Sequence, residues 1–112
     1  MIVPGEKCSI KATPETVAKH TIECLTSSVP HSIAGVVFLS GGQSGIEALL
    51  NLNAIAQIQP TPWPLTFSFD RVFMLPVLQA WAGKKENIQK SQDVLLHTLK
   101  QASDATSGSL SL

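Results

Sequence analysis

The chain has 112 residues, of which 44% are hydrophobic and 14% charged, and its eight basic and eight acidic residues cancel to a formal charge of zero. This length allows one domain at most, and the composition is that of a globular protein rather than a disordered one. No basic block interleaved with aromatic residues is present, which excludes an electrostatic footprint for nucleic acid, and no apolar run is long enough to cross a bilayer.

The first predicted helix begins at Thr13-Pro14, after an irregular opening segment over residues 1–12. Threonine is a favoured N-cap residue, and a proline at the first helical position loses no hydrogen bond. Apolar residues then recur at three- and four-residue spacing until Pro30 ends the helical region. The opening residues lack the charged and apolar regions of a signal peptide, so we expect none.

A short apolar run over residues 33–39, rich in β-branched side chains, predicts a strand buried on both faces, as in parallel sheets. It stops at Ser40-Gly41-Gly42-Gln43. Ser44 and Glu47 then have the spacing of a capping box, which marks a helix start. The predicted unit is strand, glycine turn and helix.

A second short strand is predicted over residues 64–69, after three closely spaced prolines. Asp70-Arg71 lies at its carboxyl end, and a helix then runs towards Trp81. Residues 85–103 form a last amphipathic helix, and the Ser/Gly-rich residues 106–112 are predicted to be a flexible tail.

This alternation of helices and strands predicts an α/β fold with parallel strands. Two strands cannot close a barrel, and a complete (β/α)8 TIM barrel takes about 250 residues. Residues 1–105 are therefore predicted to be the C-terminal portion of such a barrel, incomplete on its own.

Two features at the strand ends indicate phosphate binding. Glycines after a strand allow backbone N–H groups to converge on an anion at the following helix N-terminus, and the Ser40 hydroxyl can donate to the same group. Arg71, the only arginine, presents a fork of donors suited to phosphate oxygens. The alternatives are a tight turn without ligand and a salt bridge from Arg71 to a neighbouring carboxylate, such as that of Asp70. Loops after consecutive late barrel strands frequently hold phosphate, which favours the phosphate interpretation.

No other residue pattern indicates catalysis or a cofactor. The histidines lie far apart without ligand spacing, so we expect no metal site. The seven lysines all lie outside the predicted strands, and no acid/base pair is evident. Cys8 and Cys24 lack metal or disulfide spacing, and we expect reduced thiols with Cys24 packed on a helix face. Both tryptophans are expected to pack. The three histidines are His20, His31 and His97, and the two tryptophans are Trp63 and Trp81.

Nearly the whole chain resembles the class I fructose-bisphosphate aldolases. The matching motifs, in order, are Val3-Pro4-Gly5, Phe38-Leu39-Ser40-Gly41-Gly42-Gln43-Ser44, Glu47-Ala48, Leu50-Asn51-Leu52-Asn53-Ala54, Pro62-Trp63, Leu65-Thr66-Phe67-Ser68-Phe69, Arg71, Trp81 and Gly83-Lys84-Lys85-Glu86-Asn87.

The resemblance implies a (β/α)8 barrel, usually a homotetramer, that cleaves fructose 1,6-bisphosphate into dihydroxyacetone phosphate and glyceraldehyde 3-phosphate through a Schiff base. It implies that Ser40, the Gly41-Gly42 backbone and Arg71 bind a substrate phosphate, with Ser68 shaping the pocket. Sugar phosphates are then the expected ligands, without metal or cofactor. A cytoplasmic location is expected, and a plastid location is also compatible.

The departures from the family concern catalysis. The Schiff-base lysine of the family lies upstream of the segment that resembles residues 1–5, so no catalytic residue is expected within the chain and the isolated polypeptide is predicted to be inactive. The alternative is a non-catalytic module that binds phosphorylated ligands or packs on aldolase subunits. Asp70 replaces a glycine of the family and is predicted to weaken phosphate binding, whereas Gly45-Ile46 replaces acidic residues.

Overall fold

Four α-helices, two short strands and one 3-10 turn follow one another along the chain, and the computed structural model describes residues 1–112. In chain order the elements are α1 (Pro14–Ser28), β1 (Val36–Phe38), α2 (Gly45–Gln57), β2 (Leu65–Phe67), α3 (Arg71–Trp81), the 3-10 turn (Lys85–Asn87) and α4 (Ile88–Thr106).

Local hydrogen bonds set the starts of the first two helices. The Thr13 hydroxyl accepts from the N–H of Thr16 at 3.3 Å, at the N-cap of α1. At the start of α2 the Ser44 hydroxyl accepts from the N–H of Glu47 at 3.2 Å, and the Glu47 carboxylate accepts from the N–H of Ser44 at 2.8 Å. Both predicted helix starts, including the capping box, are confirmed.

The two strands pair in parallel, with Val36 opposite Leu65 and Phe38 opposite Phe67. The predicted α/β class is confirmed. Both strands are shorter than the predicted ranges, because only three residues of each strand find a pairing partner on the other.

One face of this small sheet is exposed, so the prediction of burial on both faces is wrong. Val37 and Leu39 are 56% and 67% exposed, whereas Phe38, which points to the other face, is 4% exposed. The helices of the chain cover only the Phe38 side. The apolar character of the strand therefore exceeds what this chain alone can bury.

Helix α2 is the centre of the molecule, since it packs against α1, α3 and α4. Leu52 and Ile55 on this helix are 0% exposed and are its largest fully buried side chains. Three phenylalanine rings from the β2–α3 region cluster within the same core at centroid distances of 5.3 to 6.2 Å; they are Phe67, Phe69 and Phe73.

Of the three side chains predicted to pack, one is buried and two are exposed, so two of these predictions are wrong. Trp63 packs as predicted, with 2% exposure and its indole N–H donating to the carbonyl of Pro30 at 3.0 Å. Trp81 instead ends α3 with 42% exposure, and Cys24 is exposed on α1. Cys24 borders an open groove beside β1, and Trp81 is only partly covered at the end of its helix.

The residues after α4 fold back onto α2. The amide of Gln57 donates to the carbonyl of Gly108 at 3.0 Å, and the N–H of Leu110 donates to the side-chain oxygen of Asn53 at 2.9 Å. Leu110 also packs against the core. The flexibility of residues 106–112 stays a prediction, although the contacts of Gly108 and Leu110 restrain this segment. None of the helices combines the length and the apolar character that a membrane crossing demands.

Candidate functional site

The main cavity of the molecule lies at the carboxyl ends of the two strands, beside the first turn of α2, and has a volume of about 410 Å³. Because the strands are parallel and in register, the segments that follow them emerge at the same edge of the sheet. The residues that line this main cavity are Glu6, Lys11, Ser40, Gly42, Gln43, Ser44, Gly45, Glu47, Arg71, Val72 and Leu75.

Three of the five predicted site residues meet in this cavity. Ser40 and Gly42 come from the turn after β1, and Arg71 is the first residue of α3, after β2. Gly41 and Ser68 do not line it. Ser68 contributes its backbone N–H to the sheet by donating to the carbonyl of Phe38 at 2.8 Å.

The glycine turn has a defined geometry. The N–H of Gln43 donates to the carbonyl of Ser40 at 3.1 Å, which closes a four-residue turn. Gly42, its third residue, has φ of +74°, a conformation that glycine adopts without the penalty of a Cβ atom. The turn brings the Ser40 side chain and the start of α2 to the same cavity.

The first turn of α2 supplies unpaired donors to this region. Ser44 and Glu47 satisfy each other's backbone N–H groups, but the N–H groups of Gly45 and Ile46 have no acceptor in the chain. Free N–H groups at a helix start carry partial positive charge and favour an anion. The cavity edge is therefore suited to a negatively charged group.

The Arg71 guanidinium is exposed and takes part in none of the three ion pairs of the chain, which are Lys19–Glu23, His20–Glu23 and Lys100–Asp104. The alternative of a salt bridge between Arg71 and Asp70 is therefore not formed. Asp70 is the N-cap of α3, makes no capping hydrogen bond with its side chain and does not line the cavity.

Sequence reasoning missed two charged residues of the cavity, Glu6 and Lys11. Both belong to the opening segment, which has no periodic pattern. A smaller cavity of about 160 Å³ shows how Lys11 arrives there, because Lys11, Pro14, Gly42 and Glu47 all line it. The starts of α1 and α2 thus lie side by side. The predicted helix start at Thr13 was the one signal that could have placed Lys11.

The Glu47 carboxylate is held in its charged form. The backbone N–H of Ser44 lowers the pKa of Glu47 below its ordinary value of 4.5, and the Ser44 hydroxyl and the charge of Lys11 act in the same direction. The cavity is lined by two acidic residues, Glu6 and Glu47, and by two basic residues, Lys11 and Arg71.

The histidines lie elsewhere. His20 faces Glu23 at 3.4 Å on α1, His31 packs edge-on against the ring of Trp63 with centroids 5.8 Å apart, and His97 is exposed on α4. Nowhere do three His, Cys, Asp or Glu side chains group as potential metal ligands.

Comparison with known proteins gives one consistent family. The family model described as glycolytic, fructose-bisphosphate aldolase class-I, matches residues 1–111. The chain is 48% identical over 109 residues to cytosolic fructose-bisphosphate aldolase 4 of Arabidopsis thaliana, which covers 96% of this chain and 28% of that protein. It is 50% identical over 109 residues to the cytoplasmic isozyme of Cicer arietinum, covering 96% of this chain and 30% of that protein.

Two further relatives extend the comparison. The chloroplastic aldolase 1 of Chlamydomonas reinhardtii is 46% identical over 108 residues, covering 96% of this chain and 28% of that protein. The solved fructose-bisphosphate aldolase of Plasmodium falciparum, in complex with TRAP and a small-molecule inhibitor, superimposes with a TM-score of 0.90 at 45% identity, covering 95% of this chain and 30% of that one.

The chain thus spans just under a third of the length of the relatives it matches, at 28% and 30% of the plant enzymes. Within that span the strand, turn and helix that form the main cavity all lie inside the matched residues. The chain belongs to the class I fructose-bisphosphate aldolase family, a family of lyases.

Proposed function

We propose that this chain supplies a phosphate-binding part of a fructose-bisphosphate aldolase, which cleaves fructose 1,6-bisphosphate into dihydroxyacetone phosphate and glyceraldehyde 3-phosphate. The observation that carries the proposal is the convergence of Ser40, Gly42 and Arg71 on one cavity at the strand ends. Family membership supplies the class of ligand, a sugar phosphate.

Each of these residues has a distinct role in the proposed site. Arg71 provides a planar pair of donors for two phosphate oxygens, and the Ser40 hydroxyl donates to a third. The Gly42 backbone approaches the anion closely because glycine has no side chain, and the start of α2 adds partial positive charge. Gly41 lies outside the cavity lining and contributes as part of the turn that Gln43 closes onto Ser40. Ser68 has an indirect role, since its N–H fixes the strand end that precedes Arg71.

The proposal includes the fold around the site. Residues 1–105 form the C-terminal portion of a (β/α)8 barrel, and residues 106–112 form a tail. The parallel pairing of β1 and β2 and the exposed apolar residues Val37 and Leu39 support this arrangement, because a barrel buries such residues in its interior. The TM-score of 0.90 with the Plasmodium falciparum aldolase is further support.

The carbon–carbon bond cleavage in this proposal uses a Schiff base on a lysine outside residues 1–112, and the residues of this chain hold the phosphate while it reacts. The resemblance also implies a homotetramer. A cytoplasmic location fits the names of the plant relatives, and the chloroplastic relatives make a plastid the second compartment to test.

A chimeric enzyme tests the proposed function. In the Cicer arietinum aldolase, the 109 matching residues are replaced by this chain, and cleavage of fructose 1,6-bisphosphate is measured. We expect turnover by the chimera and a marked rise in KM when Arg71→Ala is introduced. Lys90→Ala on α4, away from the cavity, is the control and should leave the turnover number and KM unchanged.

A folded chimera that shows no turnover would contradict the proposal that this chain carries a working aldolase segment. An active chimera with the same KM in its Arg71→Ala form would contradict the phosphate role of Arg71 alone. Circular dichroism and size-exclusion chromatography establish folding and report the oligomeric state in the same preparation.

A further inference from the structure

Lys11 is a second cation in the main cavity, and none of the proposed phosphate contacts uses it. Lys11 lines the cavity together with Ser40 and Arg71. It forms no ion pair within 4.0 Å, since the three ion pairs of the chain involve other residues. An ammonium group so placed keeps its donors available for a ligand.

The opening segment holds Lys11 at this position through its backbone. The N–H of Ile2 donates to the Thr21 hydroxyl at 3.0 Å on α1, and the N–H of Cys8 donates to the carbonyl of Gly5 at 2.8 Å. Two residues after Lys11, Thr13 caps α1. The segment is therefore tied at both ends, and Lys11 enters the cavity from the side of α1.

The balance of formal charges in the main cavity suits a role for Lys11 in anion binding. Glu6 and Glu47 line the same cavity and oppose the entry of an anion, so Arg71 alone leaves the site with a net negative formal charge. Lys11 restores neutrality before any ligand enters. Its nearness to Glu47 is also expressed in the lowered pKa of that carboxyl, to which Ser44 contributes most and Lys11 least.

We propose that Lys11 is a further phosphate-binding residue, which contacts the bound phosphate from the side of α1 while Arg71 contacts it from the side of α3. This inference rests on the proposed function, because it assigns an additional contact to the same site. Lys11 is a point charge on a flexible stem, so it adds affinity and tolerates different phosphate positions.

The test is titration of the 112-residue chain with inorganic phosphate, followed by phosphorus NMR. We expect Lys11→Met to weaken phosphate binding about tenfold, as loss of a charge-assisted hydrogen bond does, and Lys11→Arg to stay within about threefold of the parent chain. Lys7→Met is the matched control. It removes the same charge from the same segment, but Lys7 lines neither cavity, and binding should be unchanged.

The outcomes separate this inference from the proposed function. Equal losses of phosphate affinity in Lys11→Met and Lys7→Met would show that Lys11 acts only through long-range electrostatic attraction, which would overturn the inference. Unchanged binding in Lys11→Met with lost binding in Arg71→Ala would overturn it as well, while leaving the phosphate site intact. Absence of phosphate binding in the parent chain would overturn the inference, and turnover by the chimera then decides the proposed function separately. If Lys11→Met loses its helical circular dichroism, Lys11→Gln takes its place with the same criteria.

Discussion

The backbone N–H of Ser68 donates to the carbonyl oxygen of Phe38 at 2.8 Å, one residue beyond the end of β2. This hydrogen bond continues the parallel ladder past the last paired residues and fixes the two strand ends against each other. The segments that carry Ser40 and Arg71 therefore start from one rigid edge. The geometry of the main cavity follows from backbone pairing as much as from its lining side chains.

The two glycines of the turn should respond differently to substitution. Gly42 has φ of +74°, and a Cβ there would meet nothing within 4 Å. Gly42→Ala should therefore lower the free energy of unfolding by about 1–2 kcal/mol, through backbone conformation alone. Urea titration monitored by circular dichroism measures the change.

Gly41→Ala is the matched control for that substitution. A Cβ at Gly41 also meets nothing within 4 Å, and its φ is not positive. We expect it to alter the free energy of unfolding by less than about 0.5 kcal/mol. Equal effects of the two substitutions would show that the positive φ of Gly42 is not the cause.

Acidification should remove a stabilising contribution of Glu47. The pKa of this carboxyl lies below its ordinary 4.5 because the Ser44 backbone N–H and hydroxyl stabilise the charged form. A lowered folded-state pKa gives stability that is present above pH 4.5 and is lost as the pH falls through the folded pKa.

The comparison variant is Glu47→Gln, which retains a side chain able to cap the helix but lacks the titratable carboxyl group. Between neutral pH and about pH 3, the unfolding free energy of the parent chain should fall further than that of Glu47→Gln. Other carboxylates titrate in both proteins and cancel in the difference. If the unfolding free energies of the two proteins fall in parallel with pH, ionised Glu47 does not stabilise the fold and the prediction is wrong.

Asp70→Gly should strengthen phosphate binding in the chimeric enzyme. At an assumed separation of ~7 Å and an effective dielectric of ~20, the repulsion is roughly 2 kcal/mol per unit of phosphate charge. Asp70 is exposed and does not line the cavity, so solvent screening reduces this value, and we expect about a threefold gain in affinity. Asp70→Asn, which removes the charge and keeps the shape, should give a similar gain. Equal phosphate inhibition constants for all three proteins would contradict the prediction.

Arg71→Lys should weaken phosphate binding although it keeps the charge. An ammonium group cannot reproduce the two parallel hydrogen bonds of a guanidinium, so we expect about a tenfold loss. Isothermal titration with inorganic phosphate measures it, and the retained helicity of the variant serves as the folding control. Full affinity in Arg71→Lys would mean that charge alone matters at this position.

The isolated 112-residue polypeptide should form no Schiff base. Its seven lysines lie on helices, turns or the opening segment, and none lies on a strand. An imine-forming lysine is activated by a desolvated pocket or by a neighbouring cation. Lys11 is the one lysine that shares a cavity with Arg71, and the acidic residues Glu6 and Glu47 of the same cavity oppose that activation. Borohydride reduction with dihydroxyacetone phosphate, followed by mass spectrometry, should show no adduct. A labelled lysine within residues 1–112 would disprove this prediction.

Local features of the fold were predictable from sequence. The caps at Thr13 and Ser44 use hydrogen bonds to residues three positions away, so the sequence contains both partners. The convergence of Ser40 and Arg71 was predictable for a related reason, because parallel strands place their carboxyl ends at one edge.

Burial was less predictable because it depends on distant partners. Trp81 and Cys24 have apolar character but are exposed on their helices, and Val37 faces the open side of the sheet. Lys11 was missed for the opposite reason. It lies in a segment without periodicity, and only the packing of α1 beside α2 brings it to the cavity.

The central position of α2 couples ligand occupancy to melting. This helix begins at the cavity and continues into the core between α1, α3 and α4. An anion that binds its first turn in the native chain only must therefore shift the unfolding equilibrium of the whole chain towards the folded state. Mass action makes the shift about 2.7 kcal/mol when the free ligand reaches 100 times its dissociation constant. Phosphorylated compounds can therefore be ranked by the increase in melting temperature that each produces, without any catalytic turnover.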